Sequence, residues 1–213
     1  DLSLKRSLQG VLFVSTVNST IENVNVSNTW YGIHMILLSQ NNAIRNNKIT
    51  NNTWRGIDAY LGSSNNTVNG NRITSTRAPY TSSTPWYMQF GFEPRLAIGI
   101  YMGLASDNCQ LQDNDVIDNQ VGFYIETSHN VIKDNSIVSN IGGVGLSSPA
   151  LDNTFFHNTV VSNWEQASSY HSNAWDDGYP SGGNYWSDYD GADRYRGPGQ
   201  NITGSDGIGD TPY

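Results

Sequence analysis

The sequence predicts an all-β chain folded as a single right-handed parallel β-helix, with three short strands in each rung of 21–24 residues. Three observations lead there. A glycine opens each repeat, at Gly10, Gly32, Gly56, Gly99, Gly122 and Gly143, at intervals of 22, 24, 43, 23 and 21 residues. Each repeat then holds three short runs of alternating apolar and polar residues, a period that belongs to strands and leaves no room for a helix. Asparagine recurs at fixed points of each repeat, where the chain must bend. Such a constant period is the signature of a solenoid.

The first strand of each rung pairs apolar residues two positions apart: Val11 and Phe13, Ile33 and Met35, Ile57 and Ala59, Ile100 and Met102, Phe123 and Ile125, Val144 and Leu146. Side chains two apart share a face, so these pairs are expected to point inward. The second strand sets an Asn or a stand-in two residues before an apolar one: Asn42 and Ile44, Asn66 and Val68, Cys109 and Leu111, Asn130 and Ile132, Asn153 and Phe155. The third repeats that motif at Asn47 and Ile49, Asn71 and Ile73, Asn114 and Val116, Asn135 and Ile137, Asn158 and Val160. The clearest copy of the whole unit runs from Gly122 to Asn140. Rungs stacked at ~4.8 Å place Asn above Asn, where side-chain amides can hydrogen-bond along the axis. Asn and Gly also tolerate the left-handed backbone of tight corners. Cys109 sits in a ladder position and is expected to be a buried, inert thiol. As the only cysteine it forms no intrachain disulfide.

Two segments break the period. Residues 77–97 interrupt the third unit with three prolines and the aromatics Tyr80, Trp86, Tyr87, Phe90 and Phe92. They are expected to cover the wall, to form a sugar-stacking lip or to meet another subunit. From residue 168 to 213 an aromatic, Gly-rich and Asp-rich tail replaces the repeat. A solenoid end exposes strand edges and core, so this tail is expected to cap it through Trp164, Trp175, Tyr185, Trp186 and Tyr189. The organisation expected is therefore a β-helix over 1–167 and a loop-rich cap over 168–213, in one structural domain. Residues 1–9 read as part of an earlier rung.

Composition narrows the partners. The net charge is −8 and Lys and Arg together number 11, which speaks against a nucleic-acid partner. No apolar run approaches the ~20 residues that span a bilayer, and no leader begins at Asp1, so mature or excised material is expected. Glycosylation sequons begin at Asn18, Asn25, Asn51, Asn65 and Asn201, which suits an extracellular or cell-surface location.

On these repeats the chain resembles the right-handed parallel β-helix group that includes NosD-like and carbohydrate-binding or sugar-hydrolase solenoids, over roughly residues 10–165. The tail, GGNYWSDYDG at 182–191 and DGIGDTPY at 206–213, looks like the end module that follows such repeats in archaeal surface proteins. The resemblance implies an architecture more than an activity. It also brings copper to mind, yet three Met and the scattered His34, His129, His157 and His171 supply no soft-ligand cluster and no zinc spacing, so neither metal is expected.

Two constellations are candidates for function. Asp188, Asp190 and Asp193, with Asp206 and Asp210 in GSDGIGD, offer hard oxygen ligands on Gly-rich loops, as calcium requires, and the resemblance to DG-rich calcium-stabilised ends supports that reading. The other is the outward side of the first strand, where His34, Asp58, Tyr101 and Tyr124 should form a row flanked by Tyr60 and Glu126. Rings that stack on sugars beside polar groups that read hydroxyls make a saccharide groove, to which Trp86 and Tyr87 of the insertion could add. Catalysis would need two carboxyl groups, and Asp58 and Glu126, with His34, are the candidates. Arg55 is read as belonging to a turn or another face. The functional expectation is a non-catalytic surface protein, an assembly subunit of a layer, sheath or filament that self-associates or meets other surface proteins and also binds glycans. A polysaccharide hydrolase, lyase or epimerase and a monomeric carbohydrate-binding module are the alternatives.

Overall fold

The computed structural model describes residues 3–5, 7–78, 96–211 and 213. Its regular structure is all strand, in parallel sheets of eight, seven and six strands that stack into a β-solenoid, plus a small two-stranded ribbon near the C-terminus. Successive strands step from one sheet to the next, so each sheet collects every third strand of the repeat.

The register is the one the repeat predicts. In the seven-stranded sheet Ile33, Ile57, Ile100, Phe123 and Val144 stack directly upon one another. Ile44, Val68, Leu111, Ile132 and Phe155 form a second column, and Val26, Ile49, Ile73, Val116, Ile137, Val160 and Trp186 a third. These side chains fill one continuous core. Each contributes on the order of 1.5–3 kcal/mol by leaving water.

The opening glycines have a physical reason that differs from the one expected. None of the six adopts a positive φ. They are required by close approach: a Cβ on Gly56 would lie 2.5 Å from the carbonyl oxygen of Gly99 and 2.5 Å from Cγ2 of Ile73. The left-handed backbone falls instead on the residue before most ladder asparagines, for example Asn41, Asn46, Asp113, His129, Asp134 and His157.

The ladders themselves number three, one more than the sequence motif suggested. Asn47, Asn71, Asn114, Asn135, Asn158 and Asn184 are linked in series, each backbone N–H donating to the side-chain oxygen of the next. Asn130, Asn153 and Asn173 form a second series, into which Cys109 donates its N–H. The third corner holds Asn119, Asn140 and Asn163, with Asn52 and Thr76 as neighbours. Burial pushes the Cys109 thiol up to about 12, so it stays protonated and inert.

At the C-terminal end Trp186 is buried and meets Trp175 at 5.6 Å and Tyr213 at 4.4 Å between ring centres, while Trp175 stacks on Phe155 at 4.8 Å. Tyr189 also packs against this core. Trp164 and Tyr185 do not join the cap: Trp164 is 85% exposed and Tyr185 62%.

Candidate functional site

The outward side of the seven-stranded sheet carries a row formed by Leu12, His34, Asp58, Tyr101, Tyr124, Gly145 and Ser168, in direct register. Alternation with the inward columns puts them there. A second row precedes it, with Tyr31 in register with Arg55 and Arg55 with Ile98. Arg55 is therefore on this face, in the strand Arg55–Ala59, and not in a turn. Two-residue alternation misplaces it because the opening glycine turns the corner, so the residue before it does not share the inward side of the residue after it. Ile98, Tyr101 and Val121 form an apolar cluster separate from the core, with Tyr60, Leu96 and Tyr124 packed on it.

The polar groups converge at the centre of this face. His34 Nε2 lies 3.3 Å from Asp58 Oδ2, and His34 Nδ1 lies 3.1 Å from Gln9 Oε1. Asp58 is only 4% exposed, and its Oδ1 is buried with no hydrogen-bond partner among the described residues. The Arg55 guanidinium lies over the Tyr101 ring at 4.5 Å and the Trp54 ring at 5.5 Å, and its Nη1 donates to the Leu96 carbonyl at 2.5 Å and the Trp54 carbonyl at 3.4 Å. Tyr101 donates its hydroxyl proton to Glu126 Oε2 at 2.6 Å. The Tyr101 ring has Tyr124 stacked 6.2 Å to one side and Tyr60 6.2 Å to the other.

Burial sets the charge state. It raises Asp58 to about 7, against the opposing pull of Arg55, and lowers His34 to about 4, with Arg55 adding to the effect. Burial, and then the hydrogen bond to Glu126, hold Tyr101 firmly protonated. Gln9 Oε1 accepts from Nδ1–H of a neutral His34, leaving the Nε2 lone pair to accept the proton of Asp58. Near neutral pH the pair is thus joined by one proton and carries little charge.

Stability should report this pair. The folded chain holds a proton on Asp58 between 3.8 and about 7 that the unfolded chain releases, so this group's contribution falls as pH rises through that window. His34 does the reverse: from about 4 to 6.5 the unfolded chain binds a proton that the folded chain does not, so its contribution rises with pH. Wild type should be nearly flat where the windows overlap. In urea denaturation across that range, Asp58→Asn should leave only the rising limb and His34→Gln only the falling one. Identical profiles for all three proteins would remove the pair from the titration.

The remaining candidates are placed as follows. Trp86 and Tyr87, like Tyr80, Phe90 and Phe92, lie outside the described residues. Glu126 stands two residues beyond Tyr124, hence two strands from Asp58 and further along the strand direction, with the Tyr101 hydroxyl reaching towards it. Two strand spacings amount to about 9.6 Å between backbones. In the tail, Asp193 accepts from Ser205 and from the N–H groups of Asp206 and Gly207. Asp206 accepts from Gly197 and Ile208, and Asp210 from Arg194 and Tyr195. Asp188 accepts from the Tyr213 hydroxyl. Asp193, Asp206 and Asp210 thus brace backbone amides, and no group of three or more His, Cys, Asp or Glu that could hold a metal ion occurs among the described residues. The five sequon asparagines are all exposed.

A family described as periplasmic copper-binding protein (NosD) matches residues 1–88 and 93–191. No curated protein and no solved structure matches the chain. Copper asks for clustered soft donors. Here Met35, Met102 and Cys109 are buried in the core, His129 and His157 stand at exposed corners near Asp152 and Asp134, and His171 meets Ser148. The described residues therefore do not fit such a centre. No helix among them is long and apolar enough to cross a membrane. By its repeat, its stacked parallel sheets and a match over most of its length, the chain belongs to the NosD family.

Proposed function

We propose that this chain is an extracytoplasmic β-helix protein that binds polysaccharide along the outward face of its seven-stranded sheet, without turning it over. One observation carries the reading. Asp58, Arg55 and Tyr101 are buried side by side on an outward face, and Asp58 Oδ1 has no hydrogen-bond partner among the described residues. A wall that served only as scaffold would not need such groups, since burying an unsatisfied acceptor costs roughly 1–3 kcal/mol. The periplasmic description of the family and the exposed sequons agree with a location outside the cytoplasm.

Isothermal titration against neutral and acidic polysaccharides tests the proposal. Tyr101→Ala and Tyr124→Ala should each weaken binding about tenfold, the loss of ~1.4 kcal/mol expected when a central aromatic contact is truncated. Folded protein that binds no polysaccharide of either class would refute it. Following the same mixtures for new chain ends separates binding from turnover, with Asp58→Asn and Glu126→Gln as controls.

Self-assembly is a second reading, favoured by a different observation. Leu8, Leu12, Val14 and Val17 are exposed together on the first described rung. Light scattering across a hundredfold concentration range should show growing mass if this surface joins subunits. A constant monomer mass, with and without calcium, would count against assembly.

A further inference from the structure

We propose that the saccharide taken by this face is acidic, a polymer of uronic acid units whose carboxylate pairs with Arg55. The inference rests on the polysaccharide reading and specifies its ligand. Among the described residues the other ion-paired arginines, Arg45, Arg72 and Arg77, are solvent-exposed and matched with Glu22, Asp115 and Asp118. Arg55 is the reverse case. It is 7% exposed, and none of the ion pairs among the described residues includes it.

A buried guanidinium with no ion-pair partner among the described residues is the arrangement that an anionic ligand completes. Both of its hydrogen bonds leave from Nη1, so Nε and Nη2 have no acceptor among the described residues. That edge presents a planar fork, and a carboxylate matches it with two parallel hydrogen bonds. Tyr101 and Trp54 hold the plane of the guanidinium by cation–π contact. Tyr124 continues the aromatic row on which a pyranose ring can stack. Asp58 and Glu126 both act on Arg55 electrostatically, but neither forms an ion pair with it; burial pushes Asp58 up to about 7, which weakens its pull below that pH, and Glu126 is engaged by the Tyr101 hydroxyl.

The protein as a whole carries −8, which opposes any polyanion. Attraction to an acidic polymer must therefore be local to Arg55, and general electrostatics cannot imitate it.

The test compares oligogalacturonate with the same oligomer after its carboxyl groups have been reduced to alcohols, by isothermal titration at pH 6. Wild type should bind the acidic form at least about tenfold more tightly, the span expected for one charge-assisted bidentate contact. Arg55→Gln should abolish that preference, Arg55→Lys should keep only part of it, and Arg72→Gln on another sheet should leave it intact. Raising the pH to 8 ionises Asp58 beside Arg55 and should shrink the preference. His34, Tyr31, Tyr101, Tyr124 and Glu126 are the other titratable groups facing this point. Equal binding of the two oligomers, or a preference that survives Arg55→Gln, overturns the acidic ligand and leaves the polysaccharide reading standing. Binding of neither form, nor of any other glycan, by folded wild type overturns both. Should Arg55→Gln fail to fold, the paired ligands on wild type and Arg55→Lys still decide the matter.

Discussion

Asn135→Ala is expected to destabilise the protein by about 4 kcal/mol, because several buried polar groups lose their partners together. The side-chain oxygen of Asn135 accepts from the backbone N–H and the side-chain amide of Asn114. Its own amide donates to the carbonyls of Leu111 and Lys133 and to Asn158. Alanine can replace none of these, and no water reaches a position 1% exposed. Each orphaned buried group costs about 1–3 kcal/mol, which the surrounding chain recovers only in part by shifting. Urea denaturation should show a lower midpoint with an unchanged slope. Asn25→Ala, at an exposed position outside the ladders, should change stability by less than about 0.5 kcal/mol. A loss at Asn135 no larger than at Asn25 would mean that the ladder merely accompanies the fold.

Gly56→Ala is expected to cost about 3 kcal/mol, near the upper end for overpacking a rigid interior. The added methyl would meet the Gly99 carbonyl and the Ile73 methyl at 2.5 Å each. One of these is backbone held in the next rung, so relief requires moving a whole strand. Gly142→Ala is the matched control, since its nearest neighbour would be Val121 at 3.7 Å, an ordinary contact. The two substitutions add the same methyl to the same sheet. Equal tolerance of both in thermal melts would show that the corner yields and that close approach does not select the glycine.

Much of this fold is legible in the sequence because a solenoid repeats one local solution. The apolar pair after each glycine and the Asn-x-apolar motif specify both the sheet to which a strand belongs and the face it buries, and the observed register matches them. The third ladder, through Asn119, Asn140 and Asn163, is less legible in the sequence because Thr29 and Thr76 interrupt its early rungs. The aromatic tail was legible as a cap in composition only. Trp175, Trp186 and Tyr213 pack together while Trp164 turns to solvent, a difference that composition does not decide.

The candidate site was half legible. His34, Asp58, Tyr101, Tyr124 and Glu126 follow from alternation, since every second residue of a first strand must face out. Arg55 does not, because the alternation is broken at Gly56, within the strand Arg55–Ala59 that also carries Asp58. The sequence by itself determined the rung, the strand faces and the ladder positions, all of which depend on contacts between residues at a fixed separation along the chain. Only the tertiary structure decided that Arg55, His34 and Asp58 are gathered on one face, that Asp58 is buried enough to hold its proton, and that Arg55 forms no ion pair among the described residues. Those properties depend on desolvation and on distances across rungs at a corner, and no repeat pattern encodes them.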